Sequence, residues 1–143
     1  MSFDDVLTRP AREELTRHGV RELRTAQDVD EALGTAGTVL LAFNSTCGCS
    51  SARMRPALVR ALRHEPRPSA VVSVFAGHDL EATARAREHL AAYPPSSPSI
   101  FLLQDGAVVF ALERRHIDGR APDVIAADLA AAFDHFCADS TTS

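Results

Sequence analysis

Two runs in this chain are apolar almost without a break: "TVLLAF" at 38–43 and "VVSVFA" at 71–76. Both are too short for a typical helix and contain β-branched residues, the pattern of strands buried on both faces. Between them Met54, Ala57, Leu58, Ala61 and Leu62 recur at helical spacing, which predicts a helix over about 49–64, kinked at Pro56. Upstream, Pro10 suits a first helical position and Gly19 a stop, so a helix over 10–18 and a short strand over 20–23 are expected. Thr25 and Asp28 have the spacing of a capping box opening a helix to Leu33, ended by Gly34 and Gly37. Downstream, Asp79 is the expected N-cap of a helix over 80–92. After the proline-rich loop "YPPSSPS", strands over 100–103 and 107–112 flank Asp105-Gly106, a hairpin signal. A second Asp-Gly at 118–119 predicts a turn. The last helix opens near Pro122 and carries Ile125, Leu129, Ala132, Phe133 and Phe136 on one face.

Alternating strands and helices imply an α/β fold, a parallel sheet with helices on both faces, to which the hairpin adds an antiparallel edge. The 143 residues suit one domain over 1–143, with about 1–9 and 138–143 expected to be flexible. Formal net charge is −4, and all 15 basic residues are arginines. They are scattered, which argues against a nucleic-acid groove. No apolar run is long enough to cross a bilayer, and the polar N-terminus has no hydrophobic signal core. A cytoplasmic protein is expected, with thiols kept reduced.

That expectation bears on "STCGCSS", residues 45–51, which holds two of the three cysteines one glycine apart. A metal clip, a structural disulfide, two packed thiols and a redox pair are the readings to separate. A reducing compartment disfavours the structural disulfide. The six histidines form no ligand spacing with Cys47 and Cys49, and no second cysteine pair exists, so no metal site is expected in the monomer. Cys47 falls where a buried strand hands over to a helix, and unpaired N–H groups there favour a thiolate over a thiol. Arg53 and Arg55 add positive charge, and Gly48 lets the backbone bend around the sulfurs. A disulfide across one residue closes a small strained ring, which suits a transient bond. The redox pair is the favoured reading.

Pro98, just before "SIFLL", is the candidate to lie against such a pair, with a cis Ser97–Pro98 bond or an ordinary trans turn equally open. Cys137 reads as a partly buried structural thiol. His78, His116, Arg120 and the Arg114–Arg115 pair follow strand ends or turns, and each alone reads as a solvated surface group.

Four segments together, "NSTCGCSSARMRPAL", "VFAGHDLEATARAREHL", "PPSSPSIFLLQDGAVVFALERRHIDGR" and "IAADLAAAFDHFC", resemble the bacilliredoxins, thioredoxin-fold proteins with a CGC active site. The resemblance covers about residues 10–137. It implies a thioredoxin-like fold, a central mixed sheet with helices on both faces, plus an extra N-terminal helix. It also implies removal of bacillithiol from S-bacillithiolated cytosolic client proteins, with bacillithiol as co-substrate and no bound cofactor. A low-molecular-weight thiol and its reductase would regenerate the dithiol. Carried over, Cys47 matches the attacking cysteine, Cys49 the resolving one, and Pro98 the cis-proline, with the Ser97 backbone pairing with bound thiol or peptide. Arg53 departs from the usual small residues of this segment. Because bacillithiol carries carboxylates, Arg53, Arg55 or Arg120 could pair with them. A general disulfide reductase or isomerase, a metal or iron–sulfur module built across a dimer, and a redox sensor that passes its oxidation state to one partner are the alternatives, and no feature of the sequence sets an oligomeric state.

Overall fold

The computed structural model describes residues 3–46 and 48–137. In chain order the elements are α1 (Phe3–Thr16), β1 (Arg21–Glu22), α2 (Ala26–Leu33), β2 (Thr38–Asn44), α3 (Gly48–Ala61) and β3 (Ala70–Phe75). They continue with α4 (Leu80–His89), β4 (Ser99–Gln104), β5 (Ala107–Leu112), α5 (Arg114–Ile117) and α6 (Pro122–Phe136). The sheet order is β1-β3-β2-β4-β5. β1 and β2 run parallel to β3, but β4 is antiparallel to β2, and β5 to β4. The sheet is therefore mixed at its centre, not only at the hairpin edge as the pattern implied. A run buried on both faces carries no mark of its direction, and here β4 enters from the opposite end.

Alternation along the strands sorts the core into two layers. On one face Leu40, Ala42, Ile100 and Leu102 meet Leu15 of α1, Met54 and Leu58 of α3, and Ile125, Leu129 and Phe133 of α6. On the other, Val39, Leu41, Phe43, Phe101 and Leu103 meet Val29 and Leu33 of α2 and Ala82 and Ala86 of α4. Asp105 and Gly106 both take positive φ (50° and 86°), the geometry a two-residue hairpin turn needs. The Thr25 hydroxyl accepts from the Asp28 N–H at 3.0 Å, and the Asp28 carboxylate also takes the N–H of Arg24 at 3.2 Å.

α1 differs most from its expected form. It begins at Phe3, so Pro10 lies inside it. The hydrogen bond that Pro10 cannot make is to the carbonyl of Val6, an exposed residue, where water can serve. Residues 3–9, expected to be loose, form the first turns and are tied down by Asp4 to His78 and Asp5 to Arg24. The expectations for 138–143 lie outside the described residues, as do Met1 and Ser2. Asp79 stands at the N-cap of α4, yet its side chain makes no capping bond; the carboxylate binds Arg12. The 118–119 turn closes a single helical turn, α5, too short for periodicity to reveal. Among the described residues no helix is long and apolar enough to cross a membrane.

Candidate active site

Antiparallel pairing of β2 with β4 sets Phe43 opposite Ser99. The residues just beyond that pair are then neighbours: Asn44, where the chain leaves β2 toward the CGC segment, and Pro98, where it enters β4. The Ser97–Pro98 peptide bond is cis, and Pro98 is buried. Gly48 and Cys49 open α3. Cys47 lies outside the described residues. The segment thus joins a buried strand to the positive end of a helix, beside a cis-proline loop.

Hydrogen bonds hold both sides of this junction. The Asn44 amide donates to the Ala11 carbonyl at 3.0 Å and accepts the N–H of Ser45 at 2.9 Å. Arg55 donates to the Ser45 carbonyl at 2.7 Å, to the Asn44 side-chain oxygen at 3.2 Å and to Glu14 at 2.7 Å. The hydroxyls of Ser45 and Ser51 are 2.5 Å apart, and the Ser50 hydroxyl donates to Asp118. Across the junction, the Ser96 carbonyl accepts from Arg87 at 2.9 Å and from the Ser99 hydroxyl at 2.8 Å. The Arg87 guanidinium lies 4.0 Å from the centre of the Phe43 ring, and burial lowers its pKa.

A family description, "Disulphide isomerase", matches residues 3–137. A bacilliredoxin of Koribacter versatilis is 47% identical over 136 residues, covering 94% of each chain. One from Salinibacter ruber is 48% identical over 142 residues, covering 97% of this chain and 84% of its own. The chain belongs to the bacilliredoxin family.

Solved structures agree on the fold. The thioredoxin of Malassezia sympodialis superposes with a TM-score of 0.59 at 12% identity, covering 84% of this chain and 92% of its own. That of Fasciola hepatica gives 0.56 at 17% identity, covering 82% and 99%. This bacilliredoxin-family protein is a thiol–disulfide oxidoreductase with a thioredoxin fold.

Within that frame the arginines proposed from sequence separate. Arg55 is 13% exposed and spends its donors on Glu14, Asn44 and Ser45. Arg120 is held by Asp128 at 2.6 Å and by the His116 carbonyl at 2.9 Å. Both have internal partners where the sequence suggested ligand carboxylates. Arg53 is half-buried on α3 and forms no ion pair among the described residues. Sequence reasoning missed Asn44, Ser50, Arg87 and Asp118. The polar "NST" directly after an apolar strand was a usable signal for Asn44; Arg87 offered none, because its role comes from packing across the sheet.

Cys137, expected to be partly buried, is fully buried at the C-terminal cap of α6. Burial pushes its thiol up, and a hydrogen bond with Thr38 offsets only part of the rise. Thr38 begins β2 and Asn44 ends it, so Cys137 sits at the other end of the strand, roughly 20 Å from the CGC segment. Among the described residues no His, Cys, Asp and Glu side chains cluster as metal ligands.

Proposed function

We propose that this protein removes bacillithiol from S-bacillithiolated cytosolic client proteins through Cys47 and Cys49. The observation that carries the reading is the junction itself: a strand leading through the CGC segment into the start of α3, beside the cis Ser97–Pro98 bond, in a chain nearly half identical to bacilliredoxins. In the proposed first step the Cys47 thiolate attacks the bacillithiol sulfur of the mixed disulfide. That S–S bond breaks, the electron pair leaves with the client thiolate, and a Cys47–bacillithiol disulfide forms. The Cys49 thiolate then attacks Cys47 Sγ and expels bacillithiol as its thiolate, leaving a Cys47–Cys49 disulfide. Two electrons from a low-molecular-weight thiol and its reductase restore the dithiol. Gly48 permits the close approach of the two sulfurs, and the Ser97 backbone beside cis-Pro98 pairs with the bound thiol.

The helix start supports the first step by favouring a thiolate at Cys47. The small ring supports the last, because a strained disulfide is readily reduced. The test compares release of client thiol from one peptide capped with bacillithiol or with glutathione. The proposal expects faster release from the bacillithiol cap and none with Cys47→Ser. Equal rates for both caps would replace it with a general disulfide reductase or isomerase.

A further inference from the structure

Resting on that reading, we infer that Arg114 and Arg115, not the arginines of α3, recognise the carboxylates of the bacillithiol moiety. Pro94, Pro95, Ser96, Glu113, Arg114 and Arg115 line a cleft of about 480 Å³. Arg114 ties it to the cis-proline loop: the Arg114 N–H meets the Ser96 hydroxyl at 3.5 Å, and its guanidinium reaches the Ser97 carbonyl at 3.5 Å. Beyond Arg115, α5 is tied to the start of α3, because Asp118, just past α5, accepts the hydroxyl of Ser50 in the first turn of α3.

The charges in this cleft remain available. Arg114 is 53% exposed with its nearest carboxylate, Asp118, at 3.6 Å; Arg115 is 77% exposed with Glu113 at 3.4 Å. Exposed pairs at such separations contribute little and exchange readily for a ligand. Glu113 itself is largely buried at the start of α5, where its backbone carbonyl accepts the His116 N–H at 2.8 Å. Two arginines on one rim suit a dicarboxylate, since each fork can bind one carboxylate in a bidentate manner. The prolines give an apolar wall for a sugar ring. Bacillithiol, a cysteinyl glucosaminyl malate, presents a thiol, a sugar ring and a pair of carboxylates in that sequence.

A second cleft of about 400 Å³, under α1, is also arginine-lined but offers no such site. There Arg12 is bound to Glu22 and Asp79, and Arg24 to Asp5 and Asp79.

The experiment measures kcat/KM on one peptide capped with bacillithiol or with cysteamine, which has no carboxylate, and takes their ratio. Arg114→Gln with Arg115→Gln should lower that ratio about tenfold or more, the scale of lost charge-assisted hydrogen bonds, mainly through KM. The Lys replacements should recover part of it, and the wild-type ratio should fall with salt. A ratio unchanged in the double variant, or lowered only by Arg53→Gln, overturns the inference while the proposed function stands. A wild-type ratio of one removes the proposed function and the inference with it. Free glucosaminyl malate should compete with the bacillithiol-capped peptide on the wild type; absence of competition also overturns the assignment.

Discussion

Arginine does opposite work at the two corners that flank the CGC segment. Under α1, Arg12 is 7% exposed and fully engaged: Asp79 at 2.7 Å, Glu22 at 2.8 Å, the Thr8 hydroxyl at 2.7 Å, and the Phe75 ring at 4.5 Å. Burial works to lower its pKa, but hydrogen bonds to Asp79 and Glu22 outweigh that and raise it. At the cis-proline corner, Arg114 and Arg115 lie on the rim with only loose partners. The first corner fixes α1 across the ends of β1 and β3; the second leaves positive charge facing a cleft. An arginine near a site is therefore scaffold when buried carboxylates use its donors, and a candidate for recognition when they do not.

Arg12→Met is the sharpest way to break the comparison. It leaves Asp79 and Glu22 with only the half-exposed Arg24, at 3.2 and 3.8 Å, and removing the buried partner costs about 3 kcal/mol. Urea unfolding should show that loss, while Arg115→Gln should stay within about 0.5 kcal/mol of wild type. Similar losses at both positions would erase the distinction. Arg55→Ala comes next: it leaves the Ser45 carbonyl without its 2.7 Å donor, and should cost about 1–3 kcal/mol and slow thiol exchange. A variant with wild-type stability would mean that the Asn44–Ser45 loop holds itself.

The exposed cluster on α2 and α4 should matter less, and through pH. Hydrogen bonds from Arg85, and then His89, lower Asp30 to about 2 from its ordinary 3.8. A depressed carboxylate stabilises the fold above its unfolded pKa, and that stability is lost as pH falls through the folded value. Asp30→Asn should flatten the stability profile between about pH 4 and 2; parallel profiles would contradict the pairing. The smallest effect is on Cys137, whose raised thiol should resist alkylation at pH 8 until urea is added. Labelling of Cys137 in the native protein at the rate of an open thiol would overturn its assignment as packing.

What could be read in advance follows the same division. The buried runs of β2 and β3, the Asp105-Gly106 hairpin and the Thr25 cap are local or periodic, and the sequence displays them. The full length of α1 is hidden from the apolar pattern because its buried stripe contains Thr8 and Arg12, while Phe3, Val6 and Leu7 face water. Apolar spacing pointed the wrong way there, and Pro10 resembled a start. The direction of β4 is set by which end of the sheet the chain re-enters, which an evenly apolar run does not encode. The cysteines and Pro98 stood out by type and spacing. Their supports, Asn44, Arg55 and Arg87, act across distances of many residues and become visible only when the strands are paired.

The central claim is that Cys47 attacks and Cys49 resolves a disulfide with bacillithiol. Intact-mass analysis tests it most directly, on reduced wild type, Cys47→Ser and Cys49→Ser, each exposed to bacillithiol disulfide and separately to glutathione disulfide. The account predicts one stable bacillithiol adduct on Cys49→Ser, none on Cys47→Ser, an internal disulfide in wild type, and weaker labelling by glutathione. An adduct that persists in Cys47→Ser, or no adduct on Cys49→Ser, would contradict it.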